Sequence, residues 1–122
     1  MGLDQWAWKI SKKDAVGPLS VKENCNREEL YYWRKVPNLQ GWMENLYKEK
    51  GGSNEFNCEV VQLDLEDLDK LEEDVKCNRL PDTEGFFFGE QSPEDDESIL
   101  EFIDKARKVL NHGDCVYYDS WW

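Results

Sequence analysis

The stretch from residue 92 to 113 constrains the fold of this chain more than any other. Ser92-Pro93-Glu94-Asp95 joins a capping hydroxyl, a proline at the first helical position and acids in the first turn, where unpartnered N–H groups carry the positive end of the helix dipole. Ile99, Leu100, Phe102, Ile103, Ala106, Val109 and Leu110 then recur at helical spacing until Asn111-His112-Gly113 stops the run. A one-sided helix of this length must bury its stripe on a second layer, and the remaining segments say what that layer is.

Trp6, Trp8 and Ile10 alternate within residues 3 to 11 as in a half-buried strand. Residues 12 to 27, polar and broken by Gly17-Pro18 and Asn24-Cys25-Asn26, read as a loop. Leu30 to Lys35 reads as a second strand, and Pro37 opens a helix with Leu39, Trp42, Met43, Leu46 and Tyr47 on one stripe before Gly51-Gly52. Cys58 to Leu63 reads as a third strand. It leads into a helix capped by Asp64, with Asp67 three residues on and Leu65, Leu68, Leu71 and Val75 along one side, closed by Leu80-Pro81. After the turn residues 82 to 85, Phe86-Phe87-Phe88 between glycines reads as a short buried strand, and Val116 to Trp122 as a terminal one. Strands interspersed with helices, none with a long parallel-sheet pattern, predict one small α+β domain over residues 1–122: a mixed or antiparallel sheet with about three helices.

At this length one domain buries roughly two thirds of its unfolded surface, and 13% aromatic residues supply a core despite 34% charged ones. No apolar run approaches the ~18 residues of a membrane span, and no basic region followed by an apolar stretch opens the chain, so a soluble, unexported protein without a membrane partner is expected. Residues 1 to 50 carry nine basic and seven acidic groups, residues 51 to 122 six and twenty. The acidic half disfavours direct nucleic-acid binding and suits either solubility or a basic protein partner.

Cys25, Cys58, Cys77 and Cys115 include no close-spaced pair, so they read as free thiols acting as small core hydrophobes in a reducing compartment, with no metal site. The single histidine, His112, reads as a helix C-terminal residue. Gly85 to Gly89 has bulky residues where a phosphate loop needs backbone amides and a lysine, no nucleophile elbow exists, and the carboxylate runs lie on solvated helix faces. No catalytic residue and no cofactor is therefore assigned.

Two stretches carry binding chemistry. Tyr32, Trp33, Arg34 and Lys35, with Asn38, set stacking planes beside two cations and an amide, which suits a planar anionic ligand such as a nucleotide. Tyr118, Ser120 and Trp121 add aromatic area with polar handles. The competing reading is of sheet residues whose rings alternate between core and solvent.

The N-terminal Met1-Gly2-Leu3-Asp4, Tyr32-Trp33-Arg34-Lys35, Trp42, Leu80-Pro81 before Gly85-Phe86-Phe87-Phe88-Gly89, and Tyr117-Tyr118-Asp119-Ser120-Trp121 together resemble a widespread set of small proteins of tailed bacteriophages. The motifs span both termini and the middle in the same order. Some members of the set are labelled phosphoglycerate kinase, a two-domain enzyme far longer than this chain and built on a phosphate cradle it lacks. The resemblance implies a phage gene expressed in the cytoplasm of an infected bacterial host, and it carries over no catalytic residues. The expected role is that of an accessory protein that counters or redirects a host system by binding, either sequestering a nucleotide-type signal or blocking a host protein with the acidic half in the manner of a DNA mimic. A small nucleotide or sugar-phosphate hydrolase and a minor virion protein are the alternatives, and a homo-oligomer stays open.

Overall fold

A computed structural model describes residues 2–83 and 92–122. Its centre is an antiparallel sheet of four strands in the order β4-β1-β6-β5, formed by β1 (Asp4–Ile10), β4 (Arg27–Arg34), β5 (Val61–Leu63) and β6 (Cys115–Trp121). Three helices, α1 (Pro37–Glu49), α2 (Leu65–Lys76) and α3 (Pro93–Asn111), bury their apolar sides on one face of this sheet. The α+β class, the antiparallel sheet and the three helices are as the sequence predicts.

Each helix start has a local cause. In α2 the Asp64 side chain accepts from the N–H of Asp67 at 2.9 Å while the Asp67 side chain accepts from the N–H of Asp64 at 3.0 Å. Ser92 and Asp95 make the same reciprocal pair at the start of α3, and α1 begins on Pro37. At the end of α3, His112 caps the helix, and Gly113 takes the left-handed conformation (φ +90°) that turns the chain into β6.

Period-two alternation sorts the sheet residues. Ala7, Trp33, Val61, Leu63, Val116 and Tyr118 face the helices and share their core with Leu39, Met43, Leu68, Leu71, Ile99, Phe102 and Ile103. On the opposite face a smaller core of Ile10, Cys115 and Tyr117 lies beneath the hairpin formed by β2 (Ala15–Gly17) and β3 (Ser20–Val21). Tyr117 Oη donates to the Gly17 carbonyl at 2.6 Å, and the Gln62 N–H donates to the Pro18 carbonyl at 2.8 Å, tying that hairpin to β5. Burial pushes the Tyr117 hydroxyl up to about 12, so it remains a donor over the whole neutral range.

Five expectations need correction or fall outside the described residues. The supposed loop 12 to 27 holds a 3₁₀ turn at Lys12–Asp14 and the β2–β3 hairpin, and β4 starts at Arg27 rather than Leu30 because Arg27 to Glu29 pair with Ile10 to Trp8. The third strand shrinks to Val61–Leu63, since Cys58 has φ +62° and cannot continue an extended run. Of the thiols, Cys115 alone is buried; Cys58 and Cys77 are exposed, so the core-hydrophobe reading fails for them. The strand expected at Phe86–Phe88 lies outside the described residues.

Asp119 gives a pH-dependent prediction. Burial pushes its carboxyl up, opposed by the Trp8 indole N–H, which donates at 3.0 Å, and by Arg27 at 3.6 Å. A raised carboxyl means the folded state binds the proton more tightly than the unfolded one, so this group favours folding at low pH and that contribution is lost as pH rises through the folded value. Asp119→Asn keeps an acceptor for Trp8 and removes the buried charge. At pH 7 the variant should melt no lower than wild type, and its relative advantage should shrink on acidification toward pH 3. Thermal melts across that range check it.

Candidate functional site

The hairpin covers only one end of the outer face of the sheet. At the other end cross-strand pairing sets side chains in two rows, Arg34–Asp4–Trp121 and Tyr32–Trp6–Asp119, running over β4, β1 and β6. Tyr32 Oη donates to Asp4 Oδ1 at 2.5 Å, and Arg34 Nη1 approaches the same oxygen at 3.8 Å. That hydrogen bond, followed by partial burial, holds the Tyr32 hydroxyl above its usual range and keeps it a donor. Trp6 lies 5.6 Å from the Tyr32 ring and 6.4 Å from Trp8, the latter pair stacked. Trp121 is 62% exposed, the most exposed ring of the set.

Beside these rows a pocket of about 310 Å³ opens between Gly2, Asp4, Trp121 and Trp122. Its walls are held in place. Trp122 donates through its backbone N–H to Asn57 Oδ1 (3.0 Å) and through Nε1 to the Phe56 carbonyl (3.0 Å), and its carbonyl accepts from Asn57 Nδ2 (2.9 Å). Gly2 has φ +146°, and a Cβ there would stand 3.3 Å from Arg34 Nη2 and 3.6 Å from Lys35 Cε, so the ends of both cationic side chains lie against bare backbone. Lys35 itself has φ +58°, a conformation that costs an L-residue roughly 1–2 kcal/mol, and it is held there by its N–H donating to the Leu3 carbonyl at 2.8 Å.

The structure thus brings Tyr32, Arg34, Lys35 and Trp121 to one end of the open face and sends the other predicted residues elsewhere. Trp33 is 4% exposed and faces the helices, donating through Nε1 to Ser98 Oγ at 3.0 Å. Tyr118 is fully buried, its hydroxyl raised well above the ordinary range chiefly by that burial, and Ser120 is buried on the same side. Asn38, on α1, accepts from the Thr83 N–H at 3.1 Å through Oδ1. These four are structural: alternation along β4 and β6 turns Trp33, Tyr118 and Ser120 to the helix side of the sheet, and Asn38 lies on helix α1. Gly2, Asp4, Trp6 and Trp122 complete the site and were not singled out for it. The signal was available in the even positions 4, 6, 32 and 34, which share one face once β1 and β4 pair as they do.

Chemically the pocket offers aromatic planes and one carboxylate, with two cations beside it against Gly2, that is, stacking, hydrogen bonding and charge. Among the described residues no group of three His, Cys, Asp or Glu side chains gathers as a metal site would need. His112 ends α3, its Nδ1 2.8 Å from the Lys108 carbonyl, in keeping with its expected role. In a second groove of about 240 Å³, between α1 and α2, several lining groups already have partners: Trp42 Nε1 donates to Asp74 Oδ2 at 2.9 Å, Arg79 meets Asp74 at 3.4 Å, and Asp67 is met from outside the groove by Lys50 at 2.6 Å. Local charge sets the first site apart. Arg34, Lys35 and Asp4 sum to a net positive site on a chain of net charge −12, and at physiological salt the distant acids act over only about 8 Å. Among the described residues no helix is long and apolar enough to cross a membrane. No family model matches the chain, and neither does any curated protein or solved structure.

Proposed function

We propose that this chain is a small phage-type accessory protein that acts by binding, and that it sequesters a nucleotide-type signal of the host at the Gly2–Asp4 end of its open sheet face. The observation that carries the reading is the convergence of Arg34 and Lys35 on the glycine backbone at Gly2, next to a pocket walled by Trp121 and Trp122. A phosphate takes two cations and bare backbone, and a base takes an indole plane; the pocket has the size of a small-ligand site, roughly 300 Å³ and up. A cationic ligand would meet Arg34 and Lys35 as like charges, which weighs against an ammonium site despite the aromatic walls. The phage setting rests on the sequence resemblance. Expression in the cytoplasm of an infected cell follows from it.

The experiment is a thermal-shift screen of mono-, di- and cyclic nucleotides, followed by calorimetry of wild type and Arg34→Ala. Arg34 is more than half exposed and its contact with Asp4 is long, so the substitution should leave stability nearly unchanged, within about 0.5 kcal/mol. Loss of a charge-assisted contact to phosphate should weaken binding by about 1.5–3 kcal/mol, tenfold or more. If no nucleotide raises the melting temperature, or both proteins bind it equally, the signal-sequestering reading falls and a blocker of a host protein takes its place.

A further inference from the structure

The outer-face rows put a carboxylate between the element that would hold phosphate and the ring that would stack on a base. Asp4 is the central member of the row Arg34–Asp4–Trp121 and lines the pocket that Trp121 and Trp122 wall. Its contacts with Tyr32 and Arg34 both fall on Oδ1. An ionised carboxylate only accepts hydrogen bonds. A planar ligand beside it must therefore turn donors toward it, and an edge bearing an acceptor there is repelled.

From this geometry, and resting on the reading of the site as a nucleotide pocket, we infer that Asp4 selects a guanine base. The Watson–Crick edge of guanine presents N1–H and the N2 amino group side by side, a pair of donors that matches the two oxygens of a carboxylate. Adenine and cytosine each set a ring-nitrogen acceptor next to their single amino donor, and uracil flanks its one N–H with two carbonyls. Guanine alone of the four meets the carboxylate with two adjacent donors and no facing acceptor. The Tyr32 hydroxyl, donating to Oδ1, fixes the carboxylate plane without taking Oδ2. Arg34 and Lys35 at Gly2 remain for the phosphate, so one row serves charge, edge and ring recognition together.

Calorimetry with GMP, IMP and AMP tests this on wild type, Asp4→Asn and Trp121→Ala. On wild type GMP should bind at least about tenfold more tightly than AMP, with IMP, which keeps N1–H and lacks the amino group, between them. Asp4→Asn should weaken GMP and leave AMP unchanged or tighter, because it removes the carboxylate that competes for Arg34; a variant that merely unfolds loses both. Trp121→Ala should weaken all three ligands together. Equal binding of GMP and AMP by wild type, or a guanine preference that survives Asp4→Asn, overturns the inference while leaving a nucleotide site in place. Failure of all three nucleotides to bind wild type overturns both. The GMP-to-IMP ratio on wild type reads the amino group with no substitution at all, so the inference stands or falls even if Asp4→Asn does not fold.

Discussion

Gln5→Leu should destabilise the protein by about 3 kcal/mol although leucine matches the buried glutamine in size, because Gln5 ties the first turn of α1 to the centre of the sheet. Gln5 is fully buried on β1. Its Oε1 accepts from the Val36 N–H at 2.9 Å, and its Nε2 donates to the Val36 carbonyl at 3.0 Å and to Tyr118 Oη at 2.8 Å. Tyr118 Oη passes its own proton to Gln40 Oε1 at 2.6 Å, and Gln40 Nε2 donates to the Phe56 carbonyl at 3.3 Å. Leucine leaves the Val36 N–H without its acceptor in a dry interior, a cost of about 1–3 kcal/mol, and the loss of two further bonds adds to it. The Val36 carbonyl still accepts from the Gln40 N–H at 3.3 Å, and Tyr118 still donates, which keeps the total short of the sum of three bonds. Denaturant unfolding should show a lower midpoint at unchanged slope, the sign of lost stability in an intact fold. A change under 1 kcal/mol would mean that apolar packing alone holds α1 on the sheet.

That network also marks where reading the sequence stops. The helix starts were legible because their causes are local: Asp64 with Asp67, Ser92 with Pro93 and Asp95, and Pro37 all act within one turn. The hairpin at Ala15–Val21 was not, because it is held by partners far along the chain, Tyr117 and Gln62, that polar residues 12 to 27 give no hint of. Gln5 is a polar residue at a strand position that its own neighbourhood would leave on the surface; its partners Val36 and Tyr118 are 31 and 113 residues away. The candidate site was half legible for the same reason. Composition points to Tyr32, Arg34, Lys35 and Trp121, but the contiguous run alone does not say which of its residues share the open face, and pleating divides it. Asp4, which pairs across to both Arg34 and Trp121, enters the site only once the strand order β4-β1-β6 is known.

Trp33 gives that division its sharpest test. If the run from Tyr32 to Lys35 were one binding patch, removing its largest ring would cost affinity and little stability. In the fold Trp33 lies in the main core, its ring edge-on to Phe102 at 5.1 Å, tilted against Tyr31 at 4.7 Å and 6.3 Å from Tyr118, with its indole N–H donated to Ser98 Oγ at 3.0 Å. Trp33→Ala should therefore cost about 3–5 kcal/mol, the lost transfer energy of the ring plus a cavity between β4 and α3 that cannot fully collapse. The neighbouring Ser98 hydroxyl keeps its donation to the Asp95 carbonyl at 2.6 Å, so packing rather than an orphaned polar group accounts for most of the loss. For a domain this size that shifts the melting temperature by well over ten degrees, while Arg34→Ala, one position along the strand, should move it by only a few at most. Trp33→Phe, which retains most of the ring and loses the indole N–H, should fall between them. Side-by-side denaturation of the three variants reads the alternation directly. If Trp33→Ala leaves stability within 1 kcal/mol of wild type, the ring is not in the core, and the separation of the open face from the helix face at this end of the sheet has to be redrawn.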